Sequence, residues 1–150
     1  MFYMKKLFIA IASISLISCG TQLPEIKPDI ITDSTLHDTD DPAIWVNQEN
    51  TEESIVFGTD KETDGAIYAF DLNGKIIEEK TLRGMKRPNN VDVEYQVKLN
   101  DSVTTDILMF TEREREQIRL FSVPDMKPLD RGGFKVFQEK RENEWNFPMG

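Results

Sequence analysis

The sequence has few of the residues that form disulfides or bind metals through sulfur and imidazole. Among its 150 residues there is one cysteine, Cys19, and one histidine, His37. A disulfide framework and a cysteine-based zinc site are therefore excluded, and so is any metal motif that needs two histidines. A Ser-His-Asp triad would have to use His37, and no nucleophile-elbow pattern accompanies it.

Basic residues are fewer than acidic ones. The chain has 18 Lys and Arg against 27 Asp and Glu, which gives a formal net charge of −9. A surface of this sign repels the nucleic-acid backbone, so nucleic acid is not an expected partner. An acidic protein can still act on an anion when metal ions lie between the two.

The first eighteen residues have the pattern of an export signal. Lys5 and Lys6 precede Leu7–Ile17, a run of apolar or small residues. This run is shorter than the ~20 apolar residues that a membrane span needs, so residues 1–18 are predicted to be a signal peptide.

Cys19 lies where a lipoprotein signal would place it. The segment Leu16–Cys19 resembles a bacterial lipobox, which implies cleavage before Cys19 and lipid on its sulfur. An ordinary signal peptide with an incidental cysteine is the alternative. We expect an exported protein, lipid-anchored to the cell envelope at the outer membrane or cell surface, with residues 19–36 as an extended tether.

After residue 40 the chain has the pattern of short strands and not of helices. An Asn73-Gly74 pair between two strand-like runs predicts a hairpin turn. Thr111–Arg119 has no apolar stripe and is predicted to be a charged hairpin loop. Trp45, Phe57, Tyr68, Phe70 and Phe110 are expected in the core. The eight predicted strands are Ala43–Val46, Ser54–Thr59, Ala66–Leu72, Lys75–Leu82, Val91–Leu99, Thr105–Thr111, Gln117–Val123 and Phe134–Gln138.

These strands form two groups of four with a shared layout. Each group begins with a polar pair, Asp40-Asp41 or Asn89-Asn90, and the two pairs are about 49 residues apart. Each group also has a cation just after its second strand, Lys61 or Arg113. Four strands in each repeat of about 40–50 residues are typical of β-propeller blades, so an all-β propeller with about two blades in this chain is predicted.

The polar pairs and the cations suggest a chemistry. Carboxylate and amide oxygens at Asp40, Asp41, Asn90 and Asp92 are of the kind that Ca²⁺ prefers. A lysine or an arginine at the equivalent blade position can bind phosphate. Taken singly, each feature also fits a simpler role. The polar pairs fit capped turns before a strand, and the two cations fit a solvated side chain and an exposed salt-bridged loop.

The order and spacing of these segments resemble the opening of the β-propeller phytases. The matching segments are DDPAIWVN, GTDK, IYAFDLNGK, NNVDVEY and TER before QIRLFSV, over about residues 38–124. The resemblance implies a six-bladed propeller that hydrolyses phytate with several Ca²⁺ ions. It implies that Asp40 and Asp41 bind calcium in the first blade and that Asn90 and Asp92 are the polar and calcium-ligand positions of the second. Lys61 and Arg113 are similar to the family's phosphate-binding lysine and arginine.

The resemblance also sets further expectations. The activity would be that of a calcium-dependent, 3-phytase-like phosphoric monoester hydrolase, with no catalytic residue assigned. The family's other calcium-binding acids and its second phosphate-binding lysine belong to later blades, so we expect residues 37–150 to be the N-terminal part of the domain, with little or no turnover alone. A monomer is expected, with membrane contact only through the lipid. The alternatives are a non-catalytic, lipid-anchored propeller that binds a phosphorylated ligand or a protein, and a partial domain with a purely structural role.

Overall fold

The computed structural model describes residues 23–137 and residue 148. The predicted signal peptide, Cys19, and Gln138 at the end of the last predicted strand lie outside the described residues. Within residues 23–137 the fold is all-β, with two four-stranded antiparallel sheets whose strands follow chain order. No helix in this described part is both long and apolar enough to cross a membrane.

The first sheet contains β1 to β4 and the second contains β5 to β8. Short 3-10 turns lie between some of the strands, at Thr51–Glu53, Glu78–Lys80 and Arg113–Arg115. The strands are β1 (Thr39–Trp45), β2 (Ile55–Asp60), β3 (Gly65–Phe70), β4 (Leu82–Met85), β5 (Pro88–Asn100), β6 (Val103–Glu112), β7 (Gln117–Val123) and β8 (Phe134–Lys135).

Two groups of four strands were predicted and are confirmed, but the predicted strand Lys75–Leu82 is wrong. The predicted strand Phe134–Gln138 is shorter than expected, because β8 ends at Lys135. Of the predicted strand residues before Leu82 only Ile76 makes a bridge, to Phe70, and the fourth strand begins at Leu82. The cause is Thr81, whose hydroxyl donates to Ile77 O at 3.1 Å and accepts from Ala69 N–H at 3.2 Å. A side chain thus takes over hydrogen bonds that a continuous strand would make.

The predicted Asn73-Gly74 turn is confirmed. The Asp71 carboxylate accepts from the amides of Asn73 and Lys75 at 2.9 and 2.8 Å. Gly74 has a φ of +78°, a conformation that favours glycine in such a turn. The predicted charged loop Thr111–Arg119 is confirmed only in its middle, where a 3-10 turn at Arg113–Arg115 connects β6 and β7. The two ends of the predicted loop belong to β6 and β7.

The alternating strand Val91–Leu99 is confirmed as far as Val97. Its odd-numbered residues are buried or half-buried and its even-numbered ones are exposed, but Leu99 is exposed as well. The pairing with β6 shifts between Glu94 and Val97, where Gln96 has a φ of +55°.

The two sheets share one hydrophobic core. All five aromatic residues expected in the core are buried. Tyr68 and Phe70 form a smaller cluster with Ala66. The main cluster combines residues of both sheets, namely Trp45, Ile55, Phe57, Ile67 and Ala69 from the first and Val91, Leu108, Phe110, Phe121, Val123 and Met126 from the second sheet and the turn after it.

The segment before β1 is fastened to the first sheet although it has no regular secondary structure. The Asp33 carboxylate accepts from Lys75 Nζ at 2.8 Å and from Ile76 N–H at 3.2 Å. The Leu36 amide lies 3.3 Å from the Tyr68 hydroxyl. The chain therefore reaches β1 along a defined path over β3.

Candidate functional site

All six sequence-predicted site residues in the propeller region lie at one end of the two sheets. Thr39 at the start of β1 pairs with Asp60 at the end of β2, and Pro88 at the start of β5 pairs with Glu112 at the end of β6. This edge carries the beginnings of β1 and β5 and the ends of β2 and β6. The residues placed there are Asp40, Asp41, Lys61, Asn90, Asp92 and Arg113.

Both polar pairs lie at equivalent irregularities of their sheets. Between Thr39 and Pro42, β1 has one more residue than the β2 segment that it pairs with, and this extra length falls at Asp40-Asp41. The same shift occurs in β5 between Pro88 and Val91, at the asparagine pair. A β-bulge redirects side chains away from the regular ladder and is common beside functional sites. The repeat seen in the sequence is thus a repeat of backbone geometry.

Hydrogen bonds between loops hold this edge together. The Arg87 amide donates to Glu62 O at 2.9 Å, and the Arg113 amide donates to Arg87 O at 3.1 Å. The Thr63 hydroxyl donates to the Glu114 carboxylate at 2.7 Å. The loop after β2, the connection between the sheets and the turn after β6 therefore form one continuous surface.

Three of the four predicted metal ligands lie around one cleft. Asp41, Asn90 and Asp92 line a cavity of about 500 Å³ together with Thr111 and an apolar group of Val91, Met109, Phe110 and Ile118. The Asp41 carboxylate also accepts the Val91 amide at 3.1 Å, which ties the start of β1 to β5. Asp92 accepts from the Val93 amide at 2.8 Å.

Asp40, the fourth predicted ligand, pairs with the predicted phosphate-binding lysine instead. Lys61 Nζ lies 2.9 Å from Asp40 Oδ1 and 3.8 Å from Asp38 Oδ2. The lysine side chain is 26% exposed, so solvent and an anion can still reach it. The neighbouring aspartates at positions 40 and 41 thus have different partners, Lys61 for Asp40 and the Val91 amide for Asp41.

Arg113 is much less accessible than an exposed loop residue would be. It opens the 3-10 turn after β6 and is only 7% exposed. The reading of this position as an exposed loop therefore does not fit the structure. Arg113 follows the buried Glu112 just as Lys61 follows the buried Asp60.

A family model described as phytase matches residues 8–132 of the chain, a span that includes β1 to β7. The chain belongs to the phytase family. Membership indicates a phosphatase-type hydrolase and implies phytate as the substrate. No curated protein matches the chain.

The donors around this cleft are of a kind that fits calcium. Ca²⁺ takes 6–8 oxygen ligands, and Asp41, Asn90 and Asp92 offer carboxylate and amide oxygens. Thr111 also lines this cleft, but its hydroxyl oxygen is buried and has no hydrogen-bond partner in the described part of the chain. Within residues 23–137 no three Asp, Glu, His or Cys side chains converge on one point, so these residues supply at most part of a coordination shell.

The sequence patterns indicated Lys61 and Arg113 but not the buried acidic residue that directly precedes each of them in the chain. Asp60 and Glu112 are 1% and 0% exposed. One Asp60 oxygen lies 3.0 Å from Nδ1 of His37, and Glu112 accepts the Lys86 amide at 2.7 Å. The signal was present in the sequence, because Thr59-Asp60-Lys61 and TER at positions 111–113 repeat as hydroxyl, acid and cation.

Proposed function

We propose that this chain contributes to the active site of a calcium-dependent phytase that hydrolyses the phosphate monoesters of myo-inositol hexakisphosphate, in the manner of a 3-phytase. The observation that carries the proposal is the duplicated edge. In each sheet of this phytase-family chain a polar pair lies at a bulge, and an acid and a cation close the next strand. An oxygen-donor cleft then lies beside basic side chains, as a metal-assisted reaction on a phosphorylated substrate requires.

In this proposal Asp40, Asp41, Asn90 and Asp92 hold calcium through their side-chain oxygens. Bound calcium supplies two things to phosphate-ester hydrolysis, a lowered pKa for bound water and neutralisation of the charge on the substrate. The acidic side chains of this edge could not hold a phosphorylated substrate by themselves, because like charges repel.

Lys61 and Arg113 bind phosphate oxygens of the substrate in the same proposal. Lys61 would exchange its pairing with Asp40 for a phosphate oxygen, since an ammonium group has three donors to share. Arg113 has the planar fork of donors that matches a phosphate. Its burial at the turn after β6 restricts the directions from which a phosphate can approach it.

The wider architecture belongs to the same proposal. We take the two sheets to be the first two blades of a six-bladed propeller that acts as a monomer, with residues 37–150 as its N-terminal part. Export, cleavage before Cys19 and lipid attachment at its sulfur would place the enzyme on the cell envelope, in contact with external phytate. The measurement is fractionation of cells that express the Cys19→Ala chain, and retention in the membrane fraction as for the wild type would contradict the anchor.

The test of the activity is phosphate release from phytate by this chain and by the complete reading frame that encodes it. Each protein is assayed with CaCl₂ and with a chelator. We expect calcium-dependent release from the complete protein and little or none from the 150-residue chain. In the complete protein, Lys61→Ala should lower activity, whereas Lys98→Ala should not. Lys98 is an exposed lysine that pairs with Asp101 and serves as the matched control.

The possible results separate the candidate functions. Phytate binding without phosphate release, in both calcium and chelator, would replace the enzyme by a non-catalytic propeller that binds a phosphorylated ligand. No binding and no release would remove both functions. Release that persists in the chelator would keep a phosphatase and contradict the role of calcium.

A further inference from the structure

The buried acidic residue at the end of the second strand of each sheet has no role in the proposed function. Asp60 ends β2 and Glu112 ends β6, and each directly precedes a cation that is proposed to bind phosphate. Both residues have almost no accessible surface. A carboxylate in this state cannot touch the substrate, so it can serve the reaction only through the residues that it holds.

Each acid contacts the segment that leads into the first strand of its own sheet. Glu112 Oε1 accepts the Lys86 amide at 2.7 Å, two residues before β5 begins. Asp60 Oδ2 lies 3.0 Å from Nδ1 of His37, two residues before β1 begins. The spacing that separates the two polar pairs also separates His37 from Lys86. The contact is therefore part of the repeat.

A backbone hydrogen bond from each cation completes the same arrangement. The Lys61 amide donates to Asp38 O at 2.9 Å, and the Arg113 amide donates to Arg87 O at 3.1 Å. Asp38 and Arg87 each follow the residue that the acid contacts. The acid side chain and the amide of the cation thus hold two consecutive residues, and the polar pair begins two residues later.

Glu112 also contacts the turn that carries the cation of its sheet. Its Oε1 lies 3.3 Å from a guanidinium nitrogen of Arg115, and its Oε2 accepts from Gln117 Nε2 at 2.5 Å. The Glu114 amide of this turn donates to Lys86 O at 3.3 Å. A single buried carboxylate therefore fixes the turn after β6 to the connection between the sheets.

We propose that Glu112 is a positioning residue for Arg113, and that Asp60 is the equivalent residue for Lys61. Each acid fixes the cation-bearing end of one strand to the segment that leads into a polar pair. The cations and the oxygen donors therefore face a phosphate in one arrangement, which lowers the entropic cost of binding it. This inference rests on the proposed function and adds the residues that orient its cations.

The experiment measures the KM and kcat for phytate of the complete protein with CaCl₂, well below the melting temperature of each variant. We expect Glu112→Ala to raise the KM about tenfold, as for the loss of one hydrogen bond to a charged group, and to change kcat less. Glu112→Gln should raise the KM only about threefold, because its amide oxygen can still accept the Lys86 amide. Glu112→Gln takes the place of the alanine variant if that variant does not fold.

A double variant tests whether Glu112 acts through Arg113. Arg113→Ala alone and Arg113→Ala combined with Glu112→Ala should have the same KM, because a positioning residue has no effect once the residue that it orients is absent. Asp60→Asn and Lys61→Ala form the equivalent set in the first sheet, and the same pattern is expected there.

Asp130→Asn is the matched control for a loss of stability alone. Asp130 belongs to the same buried charged group, since its carboxylate lies 2.6 Å from Arg119 Nε while another Arg119 nitrogen lies 3.5 Å from Glu112. Its other hydrogen bonds go to the amides of Leu120 and Gly132. Asp130→Asn should therefore lower the melting temperature without changing the KM.

The outcomes distinguish the inference from the function on which it rests. No phosphate release by the wild type would overturn both. Release by the wild type with an unchanged KM in both Glu112 variants would overturn the inference alone, and so would a double variant whose KM exceeds that of Arg113→Ala. A raised KM that the double variant does not raise further, with the KM of Asp130→Asn unchanged, would support the inference.

Discussion

Three charged side chains are buried together between β6, β7 and the turn that follows β7. Arg119 Nε lies 2.6 Å from Asp130 Oδ2, and a guanidinium nitrogen of Arg119 lies 3.5 Å from Glu112. Glu112 also accepts from Gln117 Nε2 at 2.5 Å. Charges in such a site are tolerated because each has a partner. Removing one partner leaves a buried charge uncompensated, which lowers the free energy of unfolding.

The Asp130 carboxylate should make stability depend on pH. Burial alone would raise the pKa of Asp130, but hydrogen bonds from Arg119 and from the Leu120 and Gly132 amides outweigh it and hold the pKa below 3.8. A lowered pKa in the folded state adds stability above the ordinary carboxyl range, and this stability is lost as pH falls through the folded pKa. We expect Asp130→Asn to lose about 2–4 kcal/mol at pH 7.

Urea unfolding from pH 7 down to pH 3 checks this prediction. The difference between wild type and Asp130→Asn should shrink as the pH falls below about 5, because the unfolded carboxyl, with a pKa of about 3.9, takes up protons before the folded one does. Asp101→Asn is the control, because Asp101 forms an exposed pair with Lys98. A difference that is constant over the whole range would mean that the charge of Asp130 contributes nothing.

At the scale of elements, β1 connects the two sheets through polar contacts as well as through the core. Trp45 Nε1 donates to the Asp106 carboxylate of β6 at 2.7 Å, and the Val46 amide donates to the Tyr95 hydroxyl of β5 at 2.7 Å. The other Asp106 oxygen accepts from the Gln96 amide at 2.8 Å, at the irregular position of β5. One carboxylate therefore secures both the bulge and the contact between sheets.

Replacing Asp106 should loosen this connection. Asp106→Ala leaves the Trp45 N–H and the Gln96 amide without their acceptor, and Trp45 is buried. We expect a loss of about 1–3 kcal/mol and a red shift of Trp45 emission. The measurement uses a Trp145→Phe background, so that Trp45 is the remaining tryptophan. Asp125→Ala, which breaks only an exposed pair with Lys127, is the control. Unchanged emission and stability would show that Asp106 does not couple the sheets.

The sequence predicted the elements well where local patterns decide them. The alternation of Val91–Leu99, the Asn73-Gly74 turn and the aromatic core are properties of neighbouring residues, and the structure confirms them apart from Leu99. The error at Lys75–Leu82 has a different origin. The Thr81 hydroxyl competes with the backbone for hydrogen bonds. The alternation of apolar and polar residues that predicts a strand does not predict such side-chain hydrogen bonds.

The sequence predicted which residues form the candidate site, but not which of them contact one another. The repeat located both polar pairs and both cations, since chain spacing fixes where blade-like groups begin. It could not show that Asp40 binds Lys61 while Asp41 lies in the cleft, because that division follows from the bulge in β1. It also could not show that Glu112 is buried, because its partners Lys86 and Arg119 belong to a different strand or connection.

At the scale of the whole molecule, the two sheets share a core and should therefore unfold together. Leu108 of β6 is fully buried in the cluster that also contains Trp45, Ile55 and Phe57 of the first sheet. An edge of hydrogen-bonded loops adds a second connection at the candidate site. Neither sheet alone encloses this cluster, so each depends on the other for burial.

Leu108→Ala tests this dependence. Truncation of a fully buried leucine should cost about 2–5 kcal/mol, partly through the cavity that it leaves. Because the core is continuous, amide exchange should accelerate to a similar degree in β2 and β3 as in β6 and β7 when global unfolding controls it. Leu99→Ala is the control, since Leu99 is 41% exposed and should cost little. Faster exchange confined to the second sheet would mean that the sheets are separate units, and the candidate site between β1 and β5 would then depend on the contact of two independently folding parts.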